Sequence, residues 1–126
     1  MKSLPSDVFD KATFLQSLGG SMDLFQEVAS LFLADCTRRL LCVREALERR
    51  DRDGLEAAAH QIKGSAGYFC APRAYAAALK VERLALAGDF VRARGACARL
   101  EQEVARLRRA LTTESSAVSA QARLRS

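Results

Sequence analysis

A chain of 126 residues, 49% hydrophobic and 28% charged, is sized and composed for one globular domain with a single core. No apolar run approaches the roughly 18 residues of a membrane span and the first residues carry no signal-peptide pattern, so a cytoplasmic protein without membrane insertion is expected. The net charge of +5 is concentrated late: from Arg92 onward eight arginines stand against three glutamates, and the rest of the chain is balanced.

Taken in order, residues 1–7 read as a loose N-terminal end. Asp7 or Asp10 can cap a short helix reaching about Leu18, with Phe9, Phe14 and Leu15 as its apolar contacts. Gly19-Gly20 stops it and Ser21 opens a long second helix over about residues 22–49. Phe25, Val28, Phe32, Cys36, Leu40, Val43 and Leu47 keep three- and four-residue spacing along one face of that helix. Asp53 can cap a third helix over about residues 54–69, with Glu56 at capping-box spacing. Pro72 suits the first turn of a fourth helix reaching about Leu86, whose inner face of Ala74, Ala77, Ala78, Val81, Leu84 and Ala85 is mostly small. Gly88-Asp89 forms a stop and a cap. The fifth helix carries a heptad-like seam of Phe90, Ala93, Cys97, Leu100, Val104, Leu107 and Leu111. Residues 112–126 show no pattern, and a disordered basic tail is expected there.

Only two prolines interrupt the chain, and period-2 runs of β-branched residues are missing. The fold class expected is all-α: an antiparallel up-down four-helix bundle over residues 8–111, with a short extra N-terminal helix as a lid. Cys36, Cys42, Cys70 and Cys97 show no CxxC pairing and there is no second histidine, which argues against zinc. Most of them read as buried, and free thiols suit a reducing compartment. The late arginines alternate with apolar heptad positions and no aromatic residues interleave, so they read as a solvated helix face rather than a nucleic-acid surface.

The third helix holds the only histidine. Leu55, Ala58, Ala59, Ile62, Ala66 and Phe69 fall on one side at 100° per residue. His60, Lys63, Gly64 and Gly67, at i, i+3, i+4 and i+7, fall on the opposite side. The imidazole therefore points away from the core that its own helix buries. Each glycine costs about 1 kcal/mol against alanine in a helix interior, so helix formation does not ask for them. Bare backbone beside an outward imidazole makes sense if another macromolecule comes close to that ring. Lys63 could supply positive charge there or be an ordinary solvated lysine. Gln61 and Tyr68 flank the ring's face, either as rim contacts for a partner or as plain surface residues.

The stretch His60-Gln61-Ile62-Lys63-Gly64-Ser65-Ala66-Gly67 resembles the signature of histidine phosphotransfer (HPt) domains, the helical relay modules of multistep two-component signalling. Phe9-Asp10, Leu18-Gly19-Gly20, Phe32-Leu33 before Asp35, Ala57-Ala58-Ala59 and Gly88-Asp89 also stand where that family has like residues, so the resemblance covers about residues 8–111. It implies a phosphoryl shuttle between receiver-domain aspartates, or from a hybrid sensor histidine kinase, with His60 as phosphoacceptor. Lys63 would lie beside the phosphoryl group, and Gly64 and Gly67 would leave room for the receiver. Glu82 falls where the family commonly places a polar side chain that holds the ring's inner nitrogen. Cys70, where glycine is frequent, and Ala74, where a larger apolar residue is favoured, depart from the pattern.

A neutral imidazole is a competent nucleophile toward an acyl phosphate, and phosphoryl transfer needs positive charge at the equatorial oxygens with in-line geometry. No P-loop, glycine-rich nucleotide loop or carboxylate cluster for Mg²⁺ is present, so no independent kinase activity and no intrinsic metal or cofactor is expected. In the family's logic Mg²⁺ comes with the partner receiver, and a monomer is the family expectation. The alternative is a helical adaptor that binds a receiver or another regulator without transfer. A weaker one is nucleic-acid binding through the arginine-rich last helix. The excess of Arg over Lys points to a GC-rich bacterial genome.

Overall fold

The computed structural model describes residues 8–125, with side chains to Glu114. Five helices follow one another: α1 Lys11–Ser17, α2 Met22–Glu48, α3 Arg52–Tyr68, α4 Pro72–Leu86 and α5 Phe90–Arg125. Helices α2 to α5 form an antiparallel bundle in which each packs on its neighbours in the chain and α2 closes against α5. The N-terminal end assigned to residues 1–7 lies outside the described residues.

The same local device makes every connection. A residue in the left-handed region ends the helix, and the next backbone N–H reaches back five residues to an orphan carbonyl. Gly19 (φ 67°), Arg50 (φ 53°), Cys70 (φ 57°) and Gly88 (φ 71°) supply the reversal. The returning bonds run from Gly20 N to Leu15 O, Asp51 N to Ala46 O, Ala71 N to Ala66 O and Asp89 N to Leu84 O, at 2.8–3.0 Å. The residue after the reversal, or one later, then starts the next helix. The Ser21, Asp51 and Asp89 side chains accept from the N–H of Leu24, Gly54 and Arg92, and Pro72 takes the first position of α4. Such turns leave no room for crossovers, so the up-down topology follows.

The cap of α3 is Asp51, not Asp53, and Glu56 is not its capping-box partner. The left-handed Arg50 turns the chain earlier than a sequence lacking glycine there suggested, and α3 begins two residues sooner. Asp10 caps α1.

The core follows the apolar stripes. Phe25, Phe32, Cys36, Val43 and Leu47 of α2 meet Leu55, Ala59, Ile62 and Ala66 of α3, Ala74, Ala78, Val81 and Ala85 of α4, and Leu100, Val104, Leu107 and Leu111 of α5. Val28, Leu40, Leu84 and Phe90 sit at its edge, half-buried. At one end, Phe9 and Phe14 close over Phe25 and Phe69, with ring centroids 4.9–6.1 Å apart. Asp10 N–H also donates to Cys70 O at 3.0 Å, which ties the lid to the α3–α4 turn.

Two expectations change. Of the four thiols only Cys36 and Cys97 are buried; Cys70 is half-buried and Cys42 exposed. The last helix does not stop at Leu111 but continues to Arg125. Residues 112–125 hold neither glycine nor proline, so the loss of the apolar seam marks the end of the bundle rather than the end of the helix. Just past the seam, Glu114 receives Lys11 Nζ at 2.7 Å and joins α5 to α1.

Candidate functional site

Because Leu55, Ala59, Ile62 and Ala66 are pinned in the core, the opposite face of α3 must look outward. His60 stands there with 63% of its side chain exposed. Its ring is nonetheless held on one side. Glu82 of α4, buried to 8% exposure, lies with Oε2 2.8 Å from His60 Nδ1. An ionised carboxylate only accepts, so Nδ1 carries the ring proton and the lone pair is left on Nε2, toward solvent.

The second oxygen of the same carboxylate, Oε1, accepts from Lys63 Nζ at 2.7 Å. Lys63 is one turn beyond His60 and only 19% exposed, so its charge is partly sheltered and engaged in the pair. The Lys63 hydrogen bond is the chief reason that the Glu82 carboxyl ionises below its ordinary range; burial opposes this, and the His60 hydrogen bond adds to it. The same bond holds Lys63 above the usual lysine range, against a smaller effect of burial. The cluster is thus a carboxylate that stays ionised, an ammonium that stays charged and an imidazole in a fixed tautomer.

Glu56 is the residue that sequence reasoning misplaced. It lies one turn before His60, and the ligand atoms of Glu56, His60 and Glu82 all fall within 4.8 Å of one another. The i, i+4 spacing from His60 was a signal for it, obscured by the capping role it was expected to play.

Gly64 is open: a Cβ built there meets nothing within 4 Å. Gly67 differs, since the Tyr75 ring of α4 stands 3.5 Å from the same point. Beside Gly64 runs a groove between α2 and α3 of about 540 Å³. Phe32 and Phe69 lie along it, with Leu31, Tyr68, Gln61 and Gly64 in its walls. Tyr68 is half exposed yet anchored edge-on against Phe14 and Phe69, 5.6 Å from each. Gln61 Oε1 accepts from Arg39 Nη1 at 2.8 Å, and Arg39 in turn is bound to Asp35. Hydrogen bonds from Arg38, then Arg39, keep the Asp35 carboxyl below its ordinary range. The structure therefore brings His60, Lys63 and Glu82 into one contact set, places Gln61, Gly64 and Tyr68 along the adjoining groove, and sets Gly67 against α4.

A family model described as the Hpt domain matches residues 27–110, two thirds of the chain. Among solved structures, the crystal structure of histidine-containing phosphotransfer protein B (HptB) from Pseudomonas aeruginosa PAO1 shares the fold, with a TM-score of 0.82. The two are 24% identical, over 90% of this chain and 97% of that one. No curated protein matches the chain by sequence.

Proposed function

The chain belongs to the Hpt domain family, whose part in signalling is histidine phosphotransfer, and on that premise we propose that His60 is the phosphoacceptor. The observation that carries this reading is the bond from His60 Nδ1 to Glu82 on an otherwise exposed ring, which leaves Nε2 free and outward. In the forward step the Nε2 lone pair attacks the phosphorus of an aspartyl phosphate in line with the leaving carboxylate oxygen. The N–P bond forms, the P–O bond to the aspartate breaks, and the carboxylate departs with that electron pair. No proton moves. The phosphorylated ring keeps hydrogen on Nδ1 and gains positive charge, which Glu82 is placed to stabilise. The return step to a second receiver is the same displacement reversed.

Lys63 supplies the positive charge for the phosphoryl oxygens by swinging its ammonium outward from Glu82 on a flexible stem. Gly64 gives the receiver backbone-level access, and the α2–α3 groove with Gln61 and Tyr68 is where the receiver seats. Any Mg²⁺ that neutralises the aspartyl phosphate would be held by the receiver and not by this chain. Family membership implies receiver domains or a kinase as partners. Following the pattern of the family, we place the module as a monomer working in the cytoplasm.

The test is transfer from a panel of phosphorylated receiver domains to this chain beside His60→Gln. Acid-labile, base-stable label on the wild type and none on the variant is the expected result. Tight receiver binding without label would replace the relay by the adaptor reading.

A further inference from the structure

The contact set around His60 has a second chemical capacity. Glu56 and His60 lie at i and i+4 on one face of α3, and Glu82 enters from α4, so one imidazole nitrogen and two carboxylate oxygens converge within 4.8 Å. Lys63 is bonded to Oε1 of Glu82, which leaves Oε2 directed at Nδ1. Tetrahedral zinc with nitrogen and oxygen ligands at about 2.0–2.2 Å spaces its ligands roughly 3.3 Å apart. Nδ1 and Oε2, now 2.8 Å apart, need to open by only about half an ångström to admit such an ion. Glu56, at the end of a flexible side chain one turn away, can supply the third bond.

The geometry points to a regulatory site for a borderline divalent metal, Zn²⁺ in class, on Glu56, His60 Nδ1 and Glu82, whose occupation switches the nucleophile off. The donor set decides the class, since imidazole with carboxylate suits zinc-like ions better than Mg²⁺. The switch is a tautomer change. A metal on Nδ1 takes that nitrogen's lone pair, so the ring proton moves from Nδ1 to Nε2 and none is lost to solvent. Nε2 then has no lone pair to offer phosphorus. Glu82 keeps Lys63 on its other oxygen throughout, so the ammonium need not be displaced. Metal binding stands on the cluster alone; its consequence for transfer rests on the relay reading above.

A single histidine makes the site readable directly. In a Cys42→Ser background, which removes the exposed thiol, the ring's ¹⁵N and ¹H resonances are followed during Zn²⁺ titration, with Mg²⁺ as the comparison ion. The expected result is a saturable change at micromolar Zn²⁺ with the proton on Nε2, at least tenfold weaker in Glu56→Gln and in Glu82→Gln. Mg²⁺ at the same concentration leaves the ring unchanged. An unmoved ring at millimolar Zn²⁺, an equal response to Mg²⁺, or Zn²⁺ binding indifferent to both substitutions overturns the proposal. Transfer assayed with and without Zn²⁺ then separates the two readings. Label on metal-free protein that Zn²⁺ suppresses supports both, label that bound Zn²⁺ does not suppress overturns the switch, and absence of label on metal-free protein counts against the relay alone.

Discussion

Replacing Glu82 by glutamine removes one charge and almost no volume, and it isolates what the buried carboxylate does for the ring. In the wild type, Oε2 takes the Nδ1 proton at 2.8 Å while Oε1 holds Lys63 at 2.7 Å. An amide has one acceptor oxygen where the carboxylate uses two, so the variant cannot keep both bonds in their present places, and what it keeps carries no negative charge. A hydrogen bond to a charged group contributes about 1.5–3 kcal/mol. With 63% of the His60 side chain open to water, the lower end of that range applies. About 1.5 kcal/mol of lost stabilisation of the phosphoimidazolium corresponds to roughly a tenfold slower transfer. The assay is the initial rate of label transfer from a saturating phosphorylated receiver, on variant protein whose far-ultraviolet circular dichroism matches the wild type. A mere packing role for Glu82 would leave the imidazole tautomer untouched, so ¹⁵N chemical shifts of the ring are read beside the rate. The expected spectrum changes from a dominant Nδ1–H form to a mixture. A rate within twofold of wild type together with an unchanged tautomer would refute the argument that this carboxylate orients and stabilises the ring.

Three further outcomes follow from the geometry. Gly64→Ala should raise stability by up to about 1 kcal/mol, because the new methyl meets empty space and alanine favours the helix, whereas Gly64→Leu should weaken receiver binding at least tenfold with the fold intact; unchanged affinity in calorimetry would remove Gly64 from the docking surface. Cys70→Gly should stabilise the protein by about 0.5 kcal/mol, raising Tm by about 2 °C: an L-residue at φ 57° costs about 1 kcal/mol, and the greater freedom of glycine in the unfolded chain returns part of it. A lower Tm would mean that the half-buried thiol's packing outweighs its backbone strain. The folded state holds the carboxyls of Glu82 and Glu103 below their ordinary value of 4.5, so their stabilisation is complete above about pH 4.5 and is lost as pH falls through the depressed folded values. Urea titrations at pH 6, 4.5 and 3.5 should show a fall that Glu103→Gln flattens, at the expense of stability near neutrality.

Periodicity carried most of the architecture, because each core stripe in the sequence is a stripe in the bundle. Turn chemistry was legible only where glycine announces it. Gly19 and Gly88 were read as stops, but Arg50 and Cys70 perform the same reversal with side chains that give no such signal, and the start of α3 was misplaced by that omission. Cys70 also explains the departure from the family pattern: the position requires a left-handed residue, which glycine supplies without strain and cysteine with it. At the site, the outward face of α3 was readable from spacing alone. Its partners were not readable from spacing: Glu82 was placed at the ring's inner nitrogen through the family resemblance alone, where the structure has it, and its second bond, to Lys63, was missed because it depends on the packing of α4 on α3. Glu56 was visible at i, i+4 from the histidine and was assigned instead to a cap that Asp51 occupies.

Two buried carboxylates show why the chemistry belongs on one side of α4. Glu103 of α5, 3% exposed, is bound by Arg73 at 3.0 and 3.1 Å and by Arg99 at 3.0 Å, with Arg106 at 3.6 Å. Burial is the largest single influence on it and pushes its carboxyl up, yet Arg73, Arg106 and Arg99 together hold it below the ordinary range. Those guanidiniums keep their charge at every accessible pH, so the partners of Glu103 are the same whether or not His60 is phosphorylated, and Glu103 joins α4 to α5 without sensing the state of the ring. Glu82 is comparably buried and has a single cationic partner, Lys63; its other partner is an imidazole exposed to water. On the relay reading, phosphorylation at Nε2 would turn that partner from neutral to positive, and the Glu82–His60 contact would strengthen. Only a contact that differs between two states can bias one against the other. A glutamate already enclosed by arginines would hold the bundle equally well and would leave the phosphorylated ring without a counter-charge that strengthens when it forms.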